Sequence, residues 1–177
     1  HRTAVRLAEH KRRLEMMSTR DGMTGVFNRR HWEMLLRNEF EHCRRDHSTA
    51  TILLIDIDHF KNINDTWGHD VGDEAIIAIT RQLQRSVRSG DAIGRFGGDE
   101  FVLCIQNRDQ EGVQAQLDKL VRSMCQTFTY GGCSVPLSIS LGAVYMTEKV
   151  PYEKLFKEAD SVLYEVKTRG KNSFEVR

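Results

Sequence analysis

Two spacing regimes alternate along the chain: short unbroken apolar runs, and stripes with the three- or four-residue spacing of one helix face. The first stripe predicts a basic amphipathic helix over residues 1–19, with Ala4, Leu7, Lys11 and Leu14 on one side and Met17 following. Such a helix packs on its own domain or pairs with a second copy as a short coiled coil, although Lys11 interrupts the seam. Two glycines within Arg20–Gly25 end it. Asn28 suits the N-cap of a second helix whose apolar face is Trp32, Leu35, Leu36, Phe40 and Cys43. The run Ile52–Ile55 is β-branched and unalternated, which reads as a central strand covered on both faces, with Asp56 and Asp58 at its C-terminal end.

Residues 60–72 look polar and irregular, and a helix with Ile76, Ile79, Leu83 and Val87 on one side follows, capped by Asp70. Strands over 92–96 and 101–105 flank Gly97-Gly98-Asp99-Glu100, a hairpin with two acids at its tip. Val113, Leu117, Leu120, Val121, Met124 and Phe128 mark another helix face, and Tyr130–Gly132 is a turn. One long alternating strand then carries Leu137, Ile139, Leu141, Ala143 and Tyr145. Pro151 suits the first position of a last helix ending at Gly170, and residues 173–176 add an edge strand. This order is the split βαβ plan of an α+β, ferredoxin-like fold: an antiparallel-dominated sheet flanked by helices on one face, plus an N-terminal helical stalk. Two units follow: an N-terminal helix over 1–19, open to pairing with a second copy, and a folded domain over 20–177.

Composition narrows the partners. The 177 residues are 40% hydrophobic and 29% charged with a net charge of +1, ordinary for a globular chain and no argument for nucleic acid. The longest apolar runs are strand-sized, so no transmembrane helix or signal peptide is expected. Cys43, Cys104, Cys125 and Cys133 form no CxxC pair, and the first three lie in apolar contexts, as reduced core thiols of a cytosolic compartment do. The charged start without Met reads as a piece of a longer chain whose preceding part carries the input module, or a membrane anchor.

The chemistry gathers at one sheet edge. In this topology the end of the central strand (Asp56) and the hairpin tip (Asp99, Glu100) converge. Three carboxylates do not all stay ionised there without a counter-charge, and a hard divalent cation with oxygen ligands supplies one. Lys61 would neutralise a phosphate chain. Asn64 and Asp73 offer an amide and a carboxylate for the edge of a guanine. The bland alternative is that these acids are helix caps or solvated surface groups.

Gly97-Gly98-Asp99-Glu100-Phe101 resembles the GGDEF signature of diguanylate cyclases. The family's other motifs appear in order: Arg20-Asp21 to Thr24 with Asn28-Arg29-Arg30; Asp56-Ile57-Asp58-His59-Phe60-Lys61 with Asn64-Asp65, Gly68-His69 and Gly72-Asp73; and Ala159-Asp160, Leu163-Tyr164, Lys167 and Gly170-Lys171-Asn172. The resemblance implies a nucleotidyl-cyclase palm-like domain that condenses two GTP into cyclic di-GMP and two pyrophosphates between two facing subunits. It implies Mg²⁺, for which Mn²⁺ would substitute, on Asp56, Asp99, Glu100 and the carbonyl of Ile57. Asp99 or Glu100 would take the proton, and Lys61 would stabilise charge on the phosphates. Asn64 and Asp73 would read guanine, His69 would lie at the substrate site, and Lys167 and Lys171 would hold the triphosphate. Position 171 departs from the usual Arg, keeping the charge but losing bidentate geometry.

Arg88-Ser89-Gly90-Asp91 matches the family's RxxD product-inhibition motif; its bland reading is a helix-end Arg and a strand-start Asp. The implied setting is the bacterial cytoplasm, with anchoring to the inner membrane through a missing N-terminal part. Two other readings compete: a catalytically silent cyclic di-GMP receptor acting through Arg88 and Asp91, and a GTP-sensing module that regulates an attached partner.

Overall fold

A computed structural model describes residues 2–106, 109–147 and 149–177; His1, the first residue of the expected stalk, lies outside them. The elements are α1 (Arg2–Thr19), β1 (Phe27–Asn28), α2 (Arg29–Asp46), β2 (Ala50–Ile57), α3 (Phe60–Trp67), α4 (His69–Ser86), β3 (Ala92–Arg95) and β4 (Glu100–Gln106). Then come α5 (Gln110–Met124), β5 (Gln126–Tyr130), β6 (Cys133–Leu137), β7 (Ile139–Met146), α6 (Tyr152–Thr168) and β8 (Phe174–Val176).

Six strands form one sheet in the order β1-β3-β4-β2-β7-β8. The four inner strands are antiparallel, while β1 on β3 and β8 on β7 are parallel additions at the two edges. The expected central strand is β2, laddered to β4 from Ala50 to Asp56 and to β7 from Ala50 to Ile57. Its alternate side chains feed two different cores. Leu53, Ile55 and Ile57 pack with α4 and α5, whereas Ala50 and Ile52 pack with α2 and the start of α6. Helices therefore cover both faces, not one as expected, because a strand apolar at every position must bury both its sides. Trp32 of α2 is fully buried and donates its indole N–H to the Ala92 carbonyl at 3.0 Å, fixing α2 on β3.

Local expectations hold in part. Asn28 caps α2, accepting from the His31 N–H at 2.9 Å. The segment taken as irregular is the helix α3, which buries only Ile63 and so shows no stripe. Gly68, at φ 92°, breaks the chain between α3 and α4, and Asp70 sits inside the first turn of α4 instead of capping it. Pro151 is the N-cap of α6, one place before the position expected. Phe128 belongs to β5, not to α5, and β5 pairs with β6 as a separate two-stranded sheet. The long strand is broken at Ser138, and β7 is buried on both sides instead of alternating. Cys43 and Cys104 are buried, but Cys125 is exposed. Among the described residues no helix is long and apolar enough to cross a membrane.

The stalk helix α1 leaves Val5, Leu7, Leu14, Met16 and Met17 each at least half exposed. Its end is tied to the domain by Asn28, whose amide donates to the Ser18 carbonyl at 3.0 Å.

Candidate active site

Antiparallel pairing of β2 with β4 sets Asp56 opposite Glu100. One residue on, the Ile57 N–H donates to the Asp99 carbonyl at 3.2 Å. The Asp99 carboxylate lies near enough to Asp56 to raise the proton affinity of its carboxyl. Asp56 is buried, and its Oδ1 has no hydrogen-bond partner among the described residues, while its Oδ2 accepts from Lys167 Nζ. Burial first, and the Asp99 carboxylate second, push the Asp56 carboxyl up to about 6, against the opposing pull of Lys167.

The hairpin tip is fastened from below. Arg95 donates to the Gly97 carbonyl at 3.1 Å, to the Gly98 carbonyl at 2.9 Å, and to Asp21 Oδ2 at 3.1 Å. Asp21 also accepts from the backbone N–H and hydroxyl of Thr24. Burial raises its carboxyl, but these bonds outweigh burial and the net displacement is downward. A charged pair with one side chain only 12% exposed thus joins the turn after the stalk to the loop that presents Asp99.

Asp58 is also buried but fully engaged. Ser140 donates to its Oδ1 at 2.6 Å, and Ser138 and the Asn172 N–H donate to its Oδ2 at 2.6 and 2.9 Å. Lys171 reaches to 3.5 Å from His59 Nδ1 at the exit of β2.

The expected base readers lie across the α3–α4 junction. Asn64 Oδ1 is buried without a partner among the described residues, and a Cβ placed on Gly72 would fall 1.8 Å from it, so a residue without a side chain leaves that oxygen in place. Asp73 and His69 are exposed in the first turns of α4, and Lys61 is exposed in the first turn of α3. Arg88 and Asp91 sit at the far end of α4. Asp91 accepts the Arg88 N–H at 3.0 Å and the Gln106 N–H at 3.2 Å, so both its oxygens already brace the turn.

The structure therefore brings Asp56, Asp99 and Lys167 together, with the Glu100 backbone beside them. Among the described residues no three His, Cys, Asp or Glu side chains are gathered as a metal cluster, so the expected convergence of three carboxylates reduces to the Asp56–Asp99 pair. That pair, with one buried oxygen lacking any donor, suits a hard divalent cation that takes oxygen ligands and completes its shell from phosphate and water. Sequence reasoning gave no role to Arg95, Asp21, Asp58 or Gly72. Asp21, Asp58 and Gly72 were marked only by their places within the motifs, and Arg95 only by its place in the strand before the tip, since residue type does not reveal a partner distant in sequence.

Comparison with known proteins gives the family. Residues 18–173 match the family model described as diguanylate cyclase, GGDEF domain. The chain is 52% identical over 177 residues to the probable diguanylate cyclase DgcC of Escherichia coli K12, covering 99% of this chain and 48% of that protein. It is 34% identical over 163 residues to the diguanylate cyclase DosC of the same organism, covering 88% of this chain and 34% of the relative. The chain thus spans about half or less of the length of these curated relatives. Among solved structures, the coiled coil and GGDEF domain of DgcB from Caulobacter crescentus, in complex with c-di-GMP, has a TM-score of 0.91. At 24% identity, with 99% of this chain and 94% of that one covered, it shows the shared fold. The diguanylate cyclase SiaD of Pseudomonas aeruginosa, solved with its activator SiaC, has a TM-score of 0.87 at 28% identity, covering 99% of this chain and 68% of that one.

Proposed function

The chain belongs to the GGDEF-domain family of diguanylate cyclases, and on that premise we propose that it condenses two GTP into cyclic di-GMP with release of two pyrophosphates. The observation that carries this reading is the buried Asp56, whose Oδ1 has no donor among the described residues, beside the half-buried Asp99. Asp56, Asp99 and the Ile57 carbonyl would hold Mg²⁺, or Mn²⁺ in its place, with Glu100 at the rim. When bound, the cation supplies charge stabilisation at the triphosphate of the reacting nucleotide.

This chain's own groups do the rest. Asn64 and Asp73 take the guanine edge, which selects GTP over ATP. Lys167 and Lys171 hold the triphosphate, Lys61 balances charge that grows on the departing phosphates, and His69 borders the substrate. Asp99, or Glu100 beside it, accepts the proton of a 3′-hydroxyl as that oxygen attacks the α-phosphorus of the other GTP. The α–β phosphoanhydride bond breaks and pyrophosphate leaves; a second, symmetric attack closes the ring. Each subunit carries one GTP, so two copies must face one another. The five exposed apolar residues of α1 support pairing of residues 1–19 as the device that arranges this, with 20–177 as the catalytic unit. Cyclic di-GMP would slow the enzyme from the surface around Arg88 and Asp91. The segment preceding this chain in the full protein would carry the input, and a membrane anchor where one exists.

The test is incubation with GTP and Mg²⁺ while pyrophosphate and cyclic dinucleotide are followed. Turnover that disappears in Asp99→Ala is the expected result. A folded protein that makes neither product, yet binds cyclic di-GMP or GTP, would instead be a receptor or a nucleotide-sensing module.

A further inference from the structure

The two acids of Asp56-Ile57-Asp58 have opposite surroundings. Asp56 keeps one buried oxygen without a donor, whereas both oxygens of Asp58 are committed, to two serine hydroxyls and one backbone N–H. Asp58 is only 5% exposed, and its own N–H donates to the Ser138 carbonyl at 2.9 Å. It has little capacity left for a cation.

What it grips is a turn of costly backbone. Beyond α6 the chain passes through three successive positive φ values: 122° at Gly170, 66° at Lys171 and 45° at Asn172. Glycine tolerates this, but a side chain with a Cβ does not adopt it freely, so Lys171 and Asn172 need an outside partner. One bond comes from within, the Lys171 N–H to the Val166 carbonyl at 3.2 Å. From outside, the Asn172 side-chain amide makes a weak contact to Cys125 Sγ at 3.5 Å, and the Asn172 N–H donates to Asp58, a charge-assisted bond whose acceptor is itself locked by Ser138 and Ser140. Held so, Lys171 reaches His59, next to Asp58 and three residues from Asp56.

We propose that Asp58 is a positioning residue that holds the Lys171–Asn172 turn left-handed, so that the Lys171 ammonium meets the triphosphate of the bound nucleotide. This rests on the triphosphate role given to Lys171 above. Asp58 acts through Lys171, so its loss weakens recognition of the triphosphate and spares recognition of the base.

The experiment measures binding of 3′-deoxy-GTP, which lacks the attacking hydroxyl, and of guanosine, to the full chain with Mg²⁺ by titration calorimetry. Asp58→Asn is expected to weaken 3′-deoxy-GTP about tenfold while guanosine stays within about twofold. Lys171→Ala should give a similar loss, and the double variant no further loss. The inference falls if Lys171→Ala is weakened while Asp58→Asn binds like wild type, or if the two losses add. If Lys171→Ala itself binds 3′-deoxy-GTP normally, the triphosphate role of Lys171 is what fails, and the inference goes with it. Should Asp58→Asn not fold, Ser138→Ala removes one donor from a half-buried site; it is expected to cost about threefold for 3′-deoxy-GTP, and an unchanged affinity overturns the inference.

Discussion

Asp99→Asn should abolish turnover and yet make the metal-free protein more stable at neutral pH. The Asp56 carboxyl is displaced from 3.8 to about 6, and at about 1.36 kcal/mol per pH unit that is about 3 kcal/mol. Burial is the largest cause and Asp99 the second, so removing the Asp99 charge returns a minor part of this, on the order of 1 kcal/mol. In a domain of this size about 1 kcal/mol moves Tm by about 2–4 °C. The sign follows from proton binding. Because the folded form holds the Asp56 proton more tightly than the unfolded form, this group favours folding below about pH 4, and that contribution is lost as pH rises through about 6. Thermal unfolding in chelator should therefore show wild-type Tm falling between pH 4 and 7 relative to Asp99→Asn. The gain of the variant should vanish at the acid end. Added Mg²⁺ should raise wild-type Tm at pH 7 more than that of the variant, since on the proposed function both carboxylates would hold the cation. A metal-free Asp99→Asn protein no more stable than wild type at pH 7 refutes the claim that the two acids burden each other.

Gly72→Ala should drive the Asn64 amide from its place, since the new Cβ would lie 1.8 Å from Oδ1; GTP affinity measured by calorimetry should fall about tenfold or more with little change in Tm. Gly142→Ala meets immovable backbone instead, the Leu163 nitrogen at 2.4 Å and the Ala159 carbonyl at 2.5 Å. It should cost about 1–3 kcal/mol in chemical denaturation and lower activity, because α6 carries Lys167. Arg88→Ala should retain basal turnover, and micromolar cyclic di-GMP should slow wild type while having little effect on the variant.

The legible parts of the fold were those where one physical demand dominates. Ile52–Ile55 had to be a doubly covered strand, and the same fact, followed through, would have put helices on both faces. Gly97–Glu100 had to be a tip. Where spacing is ambiguous, the pattern misled: Phe128 follows Met124 by four residues, as a helix face would, yet it lies on β5. The helix α3 was hidden because Ile63 alone is buried in it. At the site, Asp56 and Asp99 were foreseeable from strand end and hairpin tip. The division of labour between Asp56 and Asp58 was not, because it depends on Ser138, Ser140 and Asn172, which are 80 or more positions away in sequence.

β2 is bonded along nearly its whole length to neighbours on both sides. Asp56 lies near the close of this strand, and the amides of Ile52–Ile55 behind it should exchange with heavy water only when the domain opens as a whole. Lys171, by contrast, sits in a short connection beyond α6, and Asp73 at a helix start. On the proposed function, the acid that would hold the cation is thus rooted in the slowest-opening strand of the sheet, and the groups that would meet the nucleotide hang on parts that can yield as it enters and leaves.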